Sequence, residues 1–285
     1  YGTAANNRGE NQGNATTLQK LLWQGRTHST VSAESIRFAL RRRLEAAAAG
    51  SCNRTYNENL RANEWQDHEF KGWSGKGNIF ADDDLLGFMK ADAAKEEGAK
   101  GSTTARRAVL ELTRAVSLTP WAGDLMFNAA SPGATPSAAK KGSSNPVPYA
   151  VEVHATRYQY GLAMTPERLK DPKRAKIAIE ALCALGEVAG NHARFLYDFS
   201  PESVVFRITD DPAPRLLYCF EERDGAVTFP QLLTRVASGD IKANELVIGG
   251  AIVATLGDTD KATLKGAVLL PGVRAAATAA CGKLP

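Results

Sequence analysis

Cysteine, histidine and methionine are scarce in this chain, whose 285 residues include four Cys, four His and three Met. The cysteines, Cys52, Cys183, Cys219 and Cys281, lie far apart and form no C-x-x-C pair. Such spacing fits neither a zinc motif nor a disulfide framework. The histidines are equally isolated and show no metal-ligand spacing, so we expect neither a metal nor a cofactor.

Long apolar runs and the common catalytic motifs are also missing. No run of about 18 apolar residues occurs, so the sequence predicts no membrane span, and no secretory signal is visible, which favours a cytoplasmic protein. The P-loop, the dinucleotide glycine motif, the zinc-protease motif and the nucleophile elbow are absent. These absences predict that the protein is not an enzyme. The chain begins at Tyr1 rather than Met, and we expect further residues upstream.

The net charge of +4 is distributed unevenly along the chain. Residues 1–60 carry 8 Lys/Arg against 4 Asp/Glu, and residues 101–170 again carry 8 against 4. Residues 61–100 carry 6 against 9, and residues 171–285 carry 13 against 14. Two basic blocks favour binding to a polyanion, and a chance distribution is the alternative interpretation.

A polar, asparagine-rich stretch precedes an amphipathic helix near the N-terminus. Residues 4–14 contain almost no large apolar side chain, which predicts a loop. Ser32 is a suitable N-cap for the helix, and Glu34 suits the positive end of its dipole. Three apolar residues spaced by four predict the buried stripe: Ile36, Leu40 and Leu44.

Arg37 and Arg41 repeat at the same spacing and predict an outward-facing cationic stripe on this helix. An amide-rich loop, a helix N-terminus and two stacked arginines together suit an anion. The alternative interpretation is an ordinary solvated helix face.

The remaining periodicities predict a mixed α+β chain. Strands are predicted over residues 112–118, 149–160, 203–209 and 215–221, and helices over residues 229–238 and 273–281 and from Asp171 onward. Asp171 is the predicted cap of its helix, with Pro172 at the first helical position. With one strand before the first helix, the order is βαββαβ, the ferredoxin-like plan of RNA-recognition motifs.

Several segments resemble one family, the backbone subunits of type I CRISPR surveillance complexes (Cascade). The first is Asn7-Arg8 with Gly13, and the second is Val-Ser-Ala-Glu-Ser-Ile-Arg-Phe-Ala-Leu-Arg at residues 31–41. Two further segments, residues 115–124 and 154–160, extend the similarity along the chain. These sequence segments are most similar to the DevR branch, which is found in type I-B systems.

The resemblance implies an α+β fold with a modified RNA-recognition-motif core and several additions. The first core strand would lie mostly upstream of Tyr1. The implied organisation is a palm core of residues 1–49, 108–128 and 149–209, a helical finger-like insertion of residues 50–107, a thumb hairpin of residues 129–148, and a C-terminal extension of residues 210–285 that packs on the core.

The resemblance also implies that this family binds the guide RNA in many side-by-side copies, largely through its backbone, since phosphate contacts position RNA without specifying its sequence. The residues that match guide-binding positions or lie beside them are Asn6, Asn7, Arg8, Asn14, Lys20, His28, Ser32, Ser35, Arg37, Arg41, His192 and Arg194. Trp121, Met126 and Phe127 flank the thumb and suit wedging between bases, with a core role as the alternative. Lys140 and Lys141, in the thumb, are expected near phosphates or target DNA.

Two further sets of residues allow two interpretations each. Tyr158 and Tyr160 suit base stacking, but also a core or interface role. The acidic run Asp82-Asp83-Asp84 suits either a solvated helix start, capped by Asp84, or a metal site, because related type III backbone subunits cut RNA with an acidic residue.

The function that this resemblance implies is sequence-independent binding of the guide RNA along a repeated backbone. The implied partners are the guide, the target DNA strand paired to it, neighbouring copies of the chain, and the subunits that cap the two ends. The alternatives are a stand-alone RNA-binding regulator of the same fold and a type III-like nuclease.

Overall fold

A computed structural model describes residues 1–5, 8–92, 102–132, 147–189 and 197–284. Its strands are β1 (Gly2–Ala4), β2 (Arg8–Gln12), β3 (Ala15–Leu18), β4 (Lys20–Trp23), β5 (Arg26–Val31), β6 (Arg54–Asn57), β7 (Ala62–Trp65), β8 (Phe88–Asp92), β9 (Ser102–Arg106), β10 (Leu110–Leu112), β11 (Ala115–Ser117), β12 (Leu125–Ala130), β13 (Val147–Glu152), β14 (His154–Thr156), β15 (Tyr158–Gln159), β16 (Leu162–Met164), β17 (Ser203–Arg207), β18 (Glu221–Arg223), β19 (Ala226–Thr228), β20 (Leu246–Gly250) and β21 (Val268–Leu270).

The α-helices are α1 (Ala33–Ala47), α2 (Ala81–Leu86), α3 (Lys173–Leu182), α4 (Pro230–Ala237), α5 (Asp258–Thr263) and α6 (Val273–Gly282). The predicted α+β class is confirmed, since several small sheets alternate with a few helices. Among the described residues, no helix combines the length and the apolarity needed to cross a bilayer.

The chain divides into two compact units, each built from separate parts of the sequence. Unit 1 comprises residues 1–35, 114–160 and 186–199, and unit 2 comprises residues 36–113, 161–185 and 200–285. The predicted palm, finger, thumb and extension follow other boundaries and stay a prediction.

Unit 1 consists of three small sheets. Their strand orders are β12-β13-β3-β2, β15-β11-β5-β4 and β1-β14. Residues 8–12 of the predicted N-terminal loop instead form β2, which pairs with β3 in a hairpin with Gln12 opposite Ala15. A positive φ of 58° at Gly13 permits this tight turn.

The segment from 149 to 160 was predicted as one strand, and that prediction is wrong. It is divided into β13, β14 and β15 because each part pairs with a different partner: β12 and β3, then β1, then β11. The predicted strand over residues 112–118 is likewise divided, since β10 pairs with β16 and β11 pairs with β5 and β15.

Unit 2 contains an apolar core in which Phe229, Leu232, Ile241 and Ile248 are buried together. Leu232 comes from α4 and Ile248 from β20, the central strand of the β17-β20-β21 sheet. The predicted strand over residues 203–209 and the predicted helices over residues 229–238 and 273–281 are confirmed as β17, α4 and α6. The helix predicted after Asp171 is α3, but its N-cap is Pro172 rather than Asp171. The Asp171 carboxylate accepts a hydrogen bond from the Lys173 amide at 3.1 Å.

The strand predicted over residues 215–221 does not form. Asp211 accepts hydrogen bonds from the Arg215 Nε at 2.8 Å and from the Arg207 Nη2 at 3.0 Å, which holds this part of the chain in a turn. Tyr218 has a positive φ of 54°, a conformation that a strand residue does not adopt.

Candidate nucleic-acid interface

In unit 1, Lys20 and Trp121 come together although they are far apart in sequence. The Lys20 ammonium lies 2.5 Å from the Glu152 Oε2 and 3.9 Å from the centroid of the Trp121 ring. Glu152 Oε2 also accepts a hydrogen bond from the Leu18 amide at 2.8 Å, and Trp121 Nε1 donates to the Val153 carbonyl at 3.0 Å. These bonds fix a cation against an aromatic face, a pairing that suits phosphate and base contacts alike.

Strand β12 carries an exposed apolar surface beside this pair. Leu125 lies opposite Glu152 in the β12–β13 register. Met126 is 41% exposed and Phe127 is 75% exposed, so a core role for these two side chains is wrong. In the described sheet β12 is an edge strand. An exposed apolar edge strand is a liability unless something covers it, such as unstacked bases or a partner.

Asn14 lies at the turn of the β2–β3 hairpin and is exposed. Its carbonyl accepts a hydrogen bond from the Ala150 amide at 3.0 Å, which ties the hairpin to β13. Arg8 lies in β2, where only its backbone is described. Six predicted binding residues fall outside the described part of the chain: Asn6, Asn7, Lys140, Lys141, His192 and Arg194.

The N-terminus of α1 forms as the sequence predicts. The Ser35 amide donates to the Ser32 hydroxyl at 3.2 Å, and the two hydroxyls lie 2.9 Å apart. Ser32 is therefore the N-cap, and both side chains are half-buried at the start of the helix. Ile36, Leu40 and Leu44 are buried, which confirms the apolar stripe.

His28 was expected beside an RNA-binding loop, but it is only 7% exposed. Its Nδ1 lies 2.7 Å from the Ser117 carbonyl oxygen, because His28 lies on the inner strand β5, next to β11. In the isolated chain it belongs to the interior of the sheet rather than to an open surface.

A buried polar network lies next to His28, and no local sequence pattern reveals it. The Ser29 hydroxyl lies 2.7 Å from both His154 Nδ1 and the Tyr158 hydroxyl. Burial lowers the pKa of His154 to about 4 and raises the pKa of Tyr158 to about 12, so both are neutral near pH 7. Tyr160 packs on Phe199 with ring centroids 5.8 Å apart. These contacts favour the core interpretation of both tyrosines over base stacking.

In unit 2, Arg37 and Arg41 do not form the predicted outward stripe. Arg37 Nη2 donates a hydrogen bond to the Leu86 carbonyl, and Arg41 Nε donates to Asp82 Oδ2 at 3.2 Å. The prediction failed because α2 supplies a carboxylate and a terminal carbonyl to this face of α1, which no local pattern reveals.

The acidic run Asp82-Asp83-Asp84 is buried, so a solvated helix start is wrong. Its helix begins at Ala81 after Phe80, and Asp84 is not the cap. Asp84 accepts hydrogen bonds from Arg106 Nη2 and Arg174 Nη1, both at 2.8 Å.

Asp82 and Asp83 are held by Asn53. Asp82 accepts a hydrogen bond from the Asn53 amide at 2.7 Å, and Asp83 accepts one from Asn53 Nδ2 at 3.0 Å. Burial, and then the charge of Asp82, raises the pKa of Asp83 to about 7. Each carboxylate of the run already has protein donors. Across the described ranges, no group of three or more His, Cys, Asp or Glu side chains is arranged to hold a metal ion.

Comparisons with known proteins agree with the resemblance seen in the sequence. The family described as "CRISPR-associated negative auto-regulator DevR/Csa2" matches residues 2–223. A protein of Myxococcus xanthus (strain DK1622), described as "CRISPR-associated protein Cas7/Cst2/DevR", is 62% identical over 287 residues, which cover 99% of this chain and 94% of the relative.

Two solved structures are also similar. A chain of a "CRISPR RNA-guided surveillance complex, pre-nicking" shares the fold with a TM-score of 0.56 at 12% identity, covering 96% of each chain. A chain of a "CRISPR RNA-guided surveillance complex" has a TM-score of 0.49 at 15% identity, over 92% of this chain and 91% of its own.

The family match spans most of the chain, and the M. xanthus relative covers nearly all of it at high identity. The predicted DevR branch is therefore confirmed. This chain belongs to the DevR/Csa2 family of CRISPR-associated proteins.

Proposed function

We propose that this protein is a non-catalytic backbone subunit that binds the guide RNA of a type I CRISPR surveillance complex. The observation that carries the proposal is the surface of unit 1 formed by Lys20, Trp121 and strand β12. It combines a fixed cation on an aromatic ring with exposed Met126 and Phe127. The Lys20 charge is paired with Glu152, so the exposed side chains of β12 carry the binding, since exposed aromatic side chains stack on unpaired bases without choosing among them.

The comparisons support this assignment. The M. xanthus relative is described as a CRISPR-associated Cas7/Cst2/DevR protein, and the solved chain of similar fold comes from an RNA-guided surveillance complex. The finer parts of the proposal are the RRM-like core and the type I-B subtype. Guide RNA works inside the cell, so we propose the cytoplasm as the location.

In the proposed complex, many copies coat the spacer side by side, with other subunits capping the two ends. The protein contacts the guide backbone, and the exposed bases pair with target DNA, so that base pairing rather than protein reads the sequence. The predicted guide contacts that the structure does not correct also belong to this proposal: Asn6, Asn7, Arg8, Asn14, Ser32, Ser35, Lys140, Lys141, His192 and Arg194.

We do not propose RNA cleavage. The carboxylates of Asp82, Asp83 and Asp84 accept hydrogen bonds from arginine and asparagine donors, so the fold uses them to hold neighbouring segments together. A labelled target RNA incubated with Mg²⁺ or Mn²⁺ tests this point. Metal-dependent cuts that vanish in Asp83→Asn would favour a type III-like nuclease.

A second candidate function is a stand-alone regulator that binds RNA, because the matched family is described as a negative auto-regulator. The two functions differ in specificity. A regulator must prefer its own message, whereas a backbone subunit must accept any spacer.

The deciding experiment measures binding to two unrelated guide RNAs of equal length across a salt series. We expect similar affinities and a steep loss of affinity with salt, because phosphate neutralisation releases counterions. A preference above about 2 kcal/mol for one sequence, the scale of one good base contact, would favour the regulator and contradict the backbone role.

A further inference from the structure

A cavity of about 240 Å³ opens in unit 2, and its wall is neither purely apolar nor purely acidic. Its lining includes the aromatic residues Trp65 and Phe88, the cation Arg54 and the carboxylates Asp82 and Asp83. Sites for drug-sized ligands usually measure about 300–1,000 Å³, so this cavity suits one flat ring system rather than a longer ligand.

Arg54 is the unusual member of this wall. Its guanidinium is half-buried and lies over the Trp65 ring, 5.5 Å from the centroid. It forms neither a hydrogen bond nor an ion pair with any residue that the structure describes, whereas Arg41 beside it is bonded to Asp82. Burial, and then the charge of Arg41, lowers the pKa of Arg54. The charges of Asp82 and Asp83 act on the guanidinium in the opposite direction, and its N–H groups remain available as donors to an external anion.

Three other lining residues, Phe88, Asp82 and Asp83, supply further contacts for a ligand. Phe88 is held in place by stacking on Phe70, with ring centroids 3.9 Å apart and planes 9° apart. Asp82 is kept as an acceptor by Arg41 and the Asn53 amide. Asp83, whose pKa is raised to about 7 by burial, presents a carboxyl group that is partly protonated at neutral pH and then donates a hydrogen bond. A nucleobase edge carries donors and acceptors side by side and matches such a pair.

We propose that this cavity binds one unpaired nucleotide of a nucleic-acid strand, with the phosphate on Arg54 and the base between Trp65 and Phe88. The choice of ligand rests on the proposed function, since a guide-binding subunit meets unpaired nucleotides from the guide and from the target. Arg54 is a binding residue in this account, and Asp83 orients the base.

The test uses the full chain, adenosine and uridine 5′-monophosphates and inorganic phosphate, with binding measured by calorimetry and by the ligand-dependent rise in melting temperature. We expect nucleotides to bind, Arg54→Gln to weaken them at least tenfold, and Trp65→Leu to weaken nucleotides while leaving phosphate binding unchanged. Without ligand, Arg54→Gln should melt no lower than the parent protein. The matched control is Arg42→Gln, which changes an exposed arginine of α1 and should leave nucleotide binding intact.

The outcomes separate this inference from the proposed function. Equal nucleotide binding by the parent and by Arg54→Gln, or no nucleotide binding at all, overturns the cavity even if guide RNA still binds elsewhere. A lower melting temperature of ligand-free Arg54→Gln also overturns it, since Arg54 would then be structural. Cross-linking of ribo- and deoxyribo-oligonucleotides to the segment around Trp65 identifies the source of the nucleotide, and cross-linking of neither contradicts the proposal.

Discussion

Strand β12 of unit 1 and helices α1 and α2 of unit 2 differ in which side chains they expose. In unit 1, strand β12 leaves Met126 and Phe127 open to solvent beside the fixed Lys20–Trp121 pair. In unit 2, the arginines of α1 are bonded to α2, and the acidic run of α2 is buried. Charge in the sequence is therefore a poor guide to the binding surface here, because internal ion pairs consume it. Exposed apolar residues are the better indicator.

The largest effect is expected at Asp84, the buried carboxylate of unit 2 that accepts hydrogen bonds from two arginines. Asp84→Asn removes the charge that holds Arg106 and Arg174, and breaking a buried pair typically costs about 3–5 kcal/mol. Chemical denaturation measures the loss. The control Asp210→Asn changes an exposed carboxylate and should stay within about 0.5 kcal/mol. Equal stability of the two variants would show that the network does not stabilise unit 2.

The next largest effect on stability is expected at Arg41, one of the two α1 arginines that were predicted to bind RNA. Arg41→Gln leaves Asp82 with fewer donors and should lower the free energy of unfolding by about 1–3 kcal/mol. Arg42→Gln, on the exposed side of the same helix, is the matched control. If Arg41→Gln melts like the parent protein, the internal role of this arginine is wrong.

A substitution in β12 is expected to weaken RNA binding with little change in stability. The double substitution Met126→Ser with Phe127→Ser is expected to weaken RNA binding by about 1–3 kcal/mol, the scale of base–aromatic stacking, and to change stability by no more than about 0.5 kcal/mol. Ile177→Ser, at an exposed apolar position of α3 in unit 2, serves as the control. A double variant that binds RNA as tightly as the Ile177→Ser control would remove β12 from the interface.

The smallest effect is a pH dependence of unit 2. The pKa of Asp83 is about 7 in the fold and about 4 in the unfolded chain. The folded state therefore holds this proton more tightly, and Asp83 reduces stability as pH rises from about 4 to about 7. Asp83→Asn is therefore expected to be more favourable to the free energy of unfolding at pH 8 than at pH 4. An effect of the same size at both pH values would contradict the raised pKa.

The sequence correctly predicted those elements that depend only on residues close together in the chain. The Ser32 cap, the Ile36–Leu40–Leu44 stripe and helix α4 are set by residues within one or two turns, and all three are present. The exposed surface of β12 was predicted only in part. Phe127 was placed beside the thumb, but a core role was left open as the alternative.

Features that depend on distant partners escaped prediction. The segment 149–160 is divided because its parts pair with four different strands. Arg41 faces inward because Asp82, about forty positions away, lies against it. His28 is buried because β5 is an inner strand. Periodicity in the sequence shows which residues share a face, but not what covers that face.

We place the guide-binding surface on β12 and the Lys20–Trp121 pair rather than on the arginines of α1. One guide RNA is titrated with the parent protein, with the Met126→Ser/Phe127→Ser variant and with Arg37→Gln, a position that does not line the unit 2 cavity. The titration is done at a temperature at which melting curves show all three to be folded. Only the β12 variant is expected to lose affinity, by at least fivefold, while Arg37→Gln binds as the parent does. Loss of affinity in folded Arg37→Gln with normal binding by the β12 variant would move the surface to α1.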